Sequence, residues 1–220
     1  MTQIFIGLLT EGTTDARFLE PIIEKTFVEI GFACKGTIDI AIFELSKQKK
    51  LNFTEQVLAA SKEGFENYGI TVLCVQADAD NKKLEDTYKN KIQPTIEELE
   101  KQNNEEFCKI IVPIVPIQET EAWLLADTQL LKNEIGTKKT DQELGINKFP
   151  ENIANPKEVI ENAIRIACQD MTKRRRNELS ISELYLPVGN KIEIEKLEKL
   201  PSFQNFKENV KNAFRQIGLL

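Results

Sequence analysis

Acidic residues follow three apolar segments of this sequence, and they are the side chains best suited to chemistry. They are Glu11 with Asp15, Asp78 with Asp80, and Glu119 with Glu121. If the apolar segments are parallel strands, their carboxyl ends meet at one edge of a sheet, and the acids converge in one crevice. Two carboxylates about 4 Å apart repel by about 4 kcal/mol at a surface-like effective dielectric. Such a cluster therefore favours protonation or bound cations.

The absence of histidine narrows the chemistry of this expected cluster. With 0 His residues in the chain, imidazole serves neither as a base nor as a metal ligand. Hard oxygen ligands favour Mg²⁺ or Mn²⁺, with Ca²⁺ a weaker choice. Two simpler interpretations stay open. Each acid can be an independent surface residue at a strand end, and Glu11 and Asp15 can merely complement a helix dipole.

The first segment is expected to place Glu11 in a tight turn. Residues 4–9 form an apolar run of strand length that is broken at Glu11 and Gly12. Gly12 permits backbone conformations that most residues resist, and Thr13 or Thr14 can cap the helix that follows. The turn then lies between a buried strand and a helix N-terminus, which is where open α/β sheets bind ligands.

Apolar runs and helical patterns alternate through the next hundred residues. Strands are predicted at 37–45, 70–77 and 110–117, and helices at 53–68, 82–102 and 119–132. Pro94 should divide the second of these helices or start its second half. Pro113 and Pro116 suggest that the last strand lies at a sheet edge or ends irregularly. The alternation predicts an α/β fold, a parallel sheet wrapped by helices, over residues 1–133.

The character of the sequence changes after residue 133. Residues 136–155 are polar, and Asn155 with Pro156 is typical of a helix start, for a helix that runs to about Lys173. A basic run at 173–176, a short segment at 180–188 and a final helix with phenylalanines at helical spacing follow. We interpret residues 134–220 as a helical extension packed on the α/β domain, in preference to an independent domain.

Composition sets limits on the class of protein. The 220 residues are 41% hydrophobic and carry a formal net charge of -6, which argues against a surface coated with basic residues. A local basic track beside an acidic metal site stays compatible with that charge. The four cysteines are far apart and are expected to be reduced thiols in a cytoplasmic protein. Neither a signal peptide nor a membrane-spanning segment is expected.

The motif E-G-T-T-D-A-R-F-L after the first strand, followed later by D-A-D, resembles the Toprim fold, which implies a Toprim- or Rossmann-like parallel sheet wrapped by helices. More narrowly, it resembles the Toprim nuclease domains of overcoming-lysogenization-defect (OLD) proteins. The run E-T-E-A-W-L-L-A-D at 119–127 is similar to a set of uncharacterised bacterial Toprim-like proteins met near phage-defence genes. The resemblance covers about residues 3–130.

The resemblance implies a set of site residues. Glu11, Asp78 and Asp80 would be catalytic and hold the metal ions, with Asp15 and Glu121 completing a second site. Glu121 is preferred to Glu119 because it belongs to the A-W-L-L-A-D run. Nucleases of this type also need a cation for the transition state, and Lys173 in the basic run is the candidate. That run can equally be a solvated helix C-terminus.

The expected function is therefore a Mg²⁺- or Mn²⁺-dependent phosphodiesterase, a nuclease of DNA or RNA acting in phage defence. The chain has no G-x-x-x-x-G-K-[ST] motif, so an ATPase would be a separate partner protein or absent. The alternative is a non-catalytic Toprim-like subunit that binds metal or nucleotide and regulates that ATPase. A glycosyltransferase would explain D-A-D but leave Glu11 without a role. A dehydrogenase is disfavoured because no G-x-G-x-x-G follows the first strand. The oligomeric state is not indicated.

Overall fold

The computed structural model describes residues 2–34, 36–79, 83–170 and 179–220, with only the backbone of Asp170. A four-stranded parallel sheet with the spatial order β2-β1-β3-β4 forms its centre. The strands are β1 (Thr2–Leu9), β2 (Ile38–Glu44), β3 (Val72–Gln76) and β4 (Ile111–Ile114). Each lies within or across one of the apolar runs, so the predicted α/β fold with a parallel sheet is confirmed.

Helices cover both faces of the sheet and make up most of the second half of the described chain. Among the described residues, three short 3-10 helices lie at Pro150–Asn152, Cys168–Asp170 and Ile181–Glu183. The helices are α1 (Thr13–Gly31), α2 (Phe53–Tyr68), α3 (Leu84–Thr87), α4 (Gln93–Glu100), α5 (Glu121–Leu124), α6 (Thr128–Ile135), α7 (Asp141–Leu144), α8 (Pro156–Ala167), α9 (Tyr185–Lys191), α10 (Ile194–Leu197) and α11 (Pro201–Gln216). Within the described ranges, no helix is long and apolar enough to cross a membrane.

Alternating side chains of β1 divide the core into two layers, as a strand period of two requires. Ile4, Ile6 and Leu8 pack with α1 and with the helices of the C-terminal half. Leu9 faces the other layer, where it packs with Val57 of α2. The sheet is therefore covered on both faces, which explains why its central strands are almost entirely apolar.

Two predicted helix details are wrong, for identifiable local reasons. The helix expected at 119–132 is two helices, because the Asp127 side chain accepts a hydrogen bond from the Leu130 amide at 2.9 Å and caps α6 as a new helix. Neither Thr13 nor Thr14 caps α1. The N-cap is Gly12, which supplies no side chain, and its φ of -139° is extended backbone that any residue can adopt.

The helix predicted at 82–102 is described from Leu84 onward and contains an irregular turn. A π-helical turn at Tyr88–Ile92 joins α3 to α4, and Pro94 lies in the first turn of α4, as expected. Proline lacks an amide N–H, so a helix tolerates it best where that donor has no partner in the preceding turn. The turn places Lys91 toward the carboxyl ends of the strands, where its ammonium contacts the main chain of Asp78.

The strand that contains Pro113, β4, lies at a sheet edge, as predicted, and Pro116 lies beyond its end. The carbonyl of Pro113 accepts a hydrogen bond from Asn209 Nδ2 of α11 at 3.0 Å. Asn209 also donates to the Tyr88 hydroxyl at 2.6 Å. The C-terminal helix therefore covers a polar group that an edge strand would otherwise expose.

Residues beyond 133 complete the same core as the sheet. Trp123 is fully buried, with its ring centroid 5.2 Å from that of Phe203 and 6.1 Å from that of Phe206. Its indole N–H donates to Ser202 Oγ at 2.7 Å, and the Ser202 amide donates to the buried Glu151 carboxylate at 3.0 Å. One hydrophobic cluster thus contains residues from both parts of the chain.

Gly189 allows α9 to cross α1 closely, and Gly189→Ala should therefore destabilise the protein. A Cβ at this position would lie 2.6 Å from the Phe18 carbonyl oxygen, which is main chain and cannot easily move. We expect urea unfolding to show a loss of about 1 to 3 kcal/mol, the usual cost of overpacking. Asn190→Ala, at the exposed neighbouring position, should stay within about 0.5 kcal/mol of the unmodified protein. Equal stability of the two variants would show that α9 shifts without cost.

Candidate functional site

The acids after β1 and β3 meet where the strand order reverses. The chain leaves β1 for β2 on one side, and β3 pairs with β1 on the other. Between two such strands the carboxyl ends leave a crevice, the usual ligand position in an open α/β sheet. Glu11 follows β1 and Asp78 follows β3, with Leu9 paired to Val75 in the register. Glu11 and Asp78 therefore lie at the same edge of the sheet, as predicted.

The Gln76 side chain links the three segments of this crevice by hydrogen bonds. Its buried side chain accepts a hydrogen bond from the Glu11 amide at 2.5 Å and donates to Asp78 Oδ1 at 2.7 Å. The same amide nitrogen lies 3.2 Å from Thr120 Oγ1, in the segment before α5. Gln76 was not predicted as a site residue, although a polar residue at the end of an apolar run was a usable signal. It fixes Asp78 relative to the turn after β1.

Asp15 folds back over the start of α1 and reaches the same region. Its carboxylate is hydrogen-bonded to the Thr120 side chain and to the Gly12 backbone. A Cβ on Gly12 would lie 3.0 Å from Asp15 Oδ2, so glycine serves here to give the carboxylate space. Thr120 Oγ1 also lies 3.5 Å from Asp78 Oδ1. A hydroxyl has one proton, so Asp15 and Asp78 compete for it.

Burial and mutual repulsion change the acidity of the clustered carboxyls. Burial raises the pKa of Asp78 to about 8, and the negative charges of Glu11, Asp15 and Glu121 add to the effect. Burial also raises the pKa of Asp15, with Glu121 and Glu11 contributing and the hydrogen bond from Thr120 opposing. The structure therefore brings four of the predicted acids within electrostatic reach: Glu11, Asp15, Asp78 and Glu121.

Glu121 is the most enclosed of the four acids. It is the first residue of α5, and its Oε1 accepts a hydrogen bond from the Tyr185 hydroxyl of α9 and lies 3.9 Å from Lys157 Nζ. Burial and the neighbouring Glu121 carboxylate raise the pKa of Tyr185. Tyr185 and Lys157 had no signal in the sequence, because only the tertiary fold brings them to Glu121.

Two predicted site residues, Asp80 and Lys173, lie outside the described residues, as does the rest of the basic run at 173–176. In the ranges that the structure does describe, no group of three or more His, Cys, Asp or Glu side chains is arranged to hold a metal ion. The four acids are neighbours, but their present side-chain positions do not enclose one cation.

A cavity of about 220 Å³ adjoins the crevice on the side of Glu11. Two lysines line it and contact the main chain of the acidic residues. Lys47 Nζ donates to the Glu11 carbonyl at 3.2 Å, and Lys91 Nζ donates to the Asp78 carbonyl at 3.4 Å. Neither lysine was predicted, because nothing in the spacing of residues 47 and 91 marks them.

The loop between β4 and α5 is strained where it enters the site. Gln118 has a φ of 71°, in the left-handed region that favours glycine, and its buried Oε1 has no hydrogen-bond partner among the described residues. Such a conformation costs about 1 to 3 kcal/mol and persists where the surrounding structure imposes it. Here the loop delivers Thr120 and Glu121 to the acid cluster.

Comparison with known proteins identifies the family of this chain. A family model described as "Domain of unknown function (DUF4276)" matches residues 10–211, from the turn after β1 to within α11. No curated protein and no solved structure matches the chain. Since the match covers most of the chain, including the acid cluster, Lys47, Lys91 and nearly all of the C-terminal helices, the protein belongs to the DUF4276 family.

Proposed function

We propose that this protein is a Mg²⁺- or Mn²⁺-dependent phosphodiesterase that acts as a nuclease on DNA or RNA. The observation that carries the proposal is the meeting of Glu11, Asp15, Asp78 and Glu121, from three separate segments, at the reversal point of the strand order. The order of E-G-T-T-D and D-A-D along the sequence, which resembles Toprim nucleases, agrees with it.

The chemistry of the donor set fits a hard divalent cation. All four side chains are carboxylates, and the chain contains 0 His. Burial, to which the charges of Glu11, Asp15 and Glu121 add, raises the pKa of Asp78 to about 8, so a bound cation would favour the ionised form of this carboxyl. Glu11, Asp15 and Asp78 would hold the metal together with Asp80, and Glu121 would contribute after release from Tyr185.

The chain's own residues prepare this site in three ways. Gln76 holds Asp78 at a fixed distance from the turn after β1. Thr120 gives a hydrogen bond to the clustered acids, and Tyr185 does the same for Glu121. A bound divalent cation would activate water and stabilise the leaving oxygen in phosphodiester hydrolysis.

The direct test is cleavage of labelled single- and double-stranded DNA and RNA with Mn²⁺ or Mg²⁺. We expect the wild-type protein to cleave at least one of these substrates and both Asp78→Asn and Glu11→Gln to abolish cleavage. Asp39→Asn at the opposite end of the sheet and Glu195→Gln on α10 are matched exposed controls that should retain it. Cleavage that survives in both site variants would exclude the acid cluster as its source.

One observation favours a second function, a non-catalytic subunit that binds metal or nucleotide and regulates a separate ATPase. In the described part of the chain the acids do not enclose an ion, and Glu121 is held by Tyr185. A divalent ion would then raise the melting temperature without any substrate being cleaved. That pair of results, alone and with candidate ATPases added, would replace the nuclease proposal.

A further inference from the structure

Lys47 and Lys91 come from separate segments and line the same small cavity beside Glu11. Lys47 lies in the connection between β2 and α2, and Lys91 lies in the π-helical turn between α3 and α4. Each ammonium donates a hydrogen bond to a carbonyl of an acidic site residue, Glu11 for Lys47 and Asp78 for Lys91. Two positive charges are thus placed at the border of a cluster of negative ones.

The loop that carries Lys47 is held in place by α2. The Gln48 amide donates to Gln56 Oε1 at 2.9 Å, and Gln56 Nε2 donates back to the Gln48 carbonyl. Lys47 itself is exposed, and an ammonium has three donors, so it can bind a ligand while keeping its bond to Glu11. Because the main chain of this loop is already held in place and the Lys47 ammonium is exposed, binding an anion costs less conformational entropy.

The lining of the cavity indicates the chemistry of its occupant. Lys47 and Lys91 give the lining two positive charges beside the one negative charge of Glu11. Apolar residues, among them Leu51 and Phe53, make up much of the rest. At about 220 Å³ the cavity is smaller than the roughly 300 to 1,000 Å³ of pockets for drug-sized ligands. A single unit with an anionic group and an apolar ring, such as one nucleotide of a strand, matches both the lining and the size.

We propose that Lys47 and Lys91 form a phosphate-binding subsite that holds a phosphate of a nucleic-acid strand next to the acid cluster. The inference rests on the proposed function, because the strand is taken to be the substrate of that cluster. The pair would offset the repulsion between the strand and the four carboxylates. Lys47 and Lys91 would also supply the positive charge near the substrate that was expected from the basic run at 173–176.

Binding can be measured apart from catalysis, in the Asp78→Asn chain with EDTA. The probe is fluorescein-labelled decathymidylate, and the readout is fluorescence anisotropy between about 50 mM and about 200 mM salt. We expect Lys47→Ala and Lys91→Ala each to weaken binding about tenfold, as the loss of a charge-assisted contact does. Each should also reduce the slope of log affinity against log salt by about 0.7, the value for one phosphate of a single strand.

Matched controls come from the same two segments. Lys49→Ala and Lys89→Ala remove the same charge at exposed positions that do not line the cavity, and they should change affinity less than about twofold. Lys47→Arg and Lys91→Arg should restore binding, which separates loss of the cation from misfolding. Equal weakening by all four alanine variants, or no binding by the parent chain, would overturn the subsite.

The outcomes also separate this inference from the proposed function. Binding that depends on the two lysines, without cleavage by the wild-type protein, would keep the subsite and remove the nuclease. Cleavage by the wild-type protein that is unaffected by Lys47→Ala and Lys91→Ala would keep the nuclease proposal and remove the subsite. Thymidine 5′-monophosphate is tested as a separate ligand, with its binding followed by isothermal titration calorimetry. If it binds and decathymidylate does not, a strand is the wrong ligand.

Discussion

Asp78→Asn is expected to melt higher than the wild-type protein when metal is removed by a chelator. In the folded chain, burial and the charges of Glu11, Asp15 and Glu121 raise the pKa of Asp78 from 3.8 to about 8. Between these two values the folded state binds more protons than the unfolded state, so wild-type stability falls as pH rises from about 4 to about 8. The asparagine variant lacks this loss because its amide does not ionise.

The size of the effect follows from the difference in proton binding. One unit of pKa difference corresponds to about 1.4 kcal/mol, and the remaining solvent contact of Asp78 reduces the full value. We expect a gain of about 2 to 4 kcal/mol at pH 8, which is roughly 5 to 10 °C for a chain of this length. At pH 4 the two proteins should melt within a few degrees of each other.

Divalent metal should reduce the difference in melting temperature between the two proteins. Mn²⁺ or Mg²⁺ at one hundred times its dissociation constant stabilises the folded wild-type protein by about 2.7 kcal/mol, and Asp78→Asn should lose most of that response. Glu195→Gln removes an exposed carboxylate far from the cluster and should change neither quantity. Differential scanning calorimetry measures both. If wild type and Asp78→Asn respond equally to metal, Asp78 is not a ligand.

Trp123→Ala should cause the largest loss of stability, about 3 to 5 kcal/mol. The indole fills the space between α5 and α11, in contact with Phe203 and Phe206, and its N–H donates to Ser202. Truncation would remove those contacts and leave a cavity at the junction of the two parts of the chain. Trp123→Phe keeps most of the ring volume and should cost less, mainly the bond to Ser202.

The unfolding of these variants has to be followed by far-UV circular dichroism in urea, because the chain contains 1 Trp and both changes remove it. Phe32→Ala is the matched control, since it truncates an aromatic ring that is 85% exposed. It should lie within about 0.5 kcal/mol of wild type. A loss at Trp123→Ala no larger than that would mean that α11 does not depend on this contact.

The sequence predicted the sheet better than it predicted the site. Apolar runs bounded by turn residues mark buried parallel strands, and all four strands were located in this way. Helix ends were less predictable, because they depend on which polar side chain accepts a hydrogen bond from a free backbone N–H. Asp127 caps α6 and so divides a helix that was expected to be continuous, whereas α1 begins without a side-chain cap.

For the site, the types of residue were predictable and their partners were not. Glu11, Asp15, Asp78 and Glu121 could be grouped, because parallel strands bring their carboxyl ends together. Tyr185, however, reaches Glu121 only through the crossing of α9 over α1, 64 residues along the chain from Glu121. No local periodicity encodes such a contact. Lys47 and Lys91 were missed for the same reason.

The position of α11 at the end of the described chain has a consequence for synthesis on the ribosome. Phe203, Phe206 and Phe214 complete the cluster that buries Trp123, and Asn209 covers the edge strand β4. Chains emerge N-terminal end first, at about 5 to 20 residues per second. The sheet and its acids are therefore exposed to solvent for several seconds with an open apolar face and an uncovered edge. A ribosome that stalls before Pro201 would leave a nascent chain that contains every residue of the acid cluster and is also a substrate for chaperones and proteases.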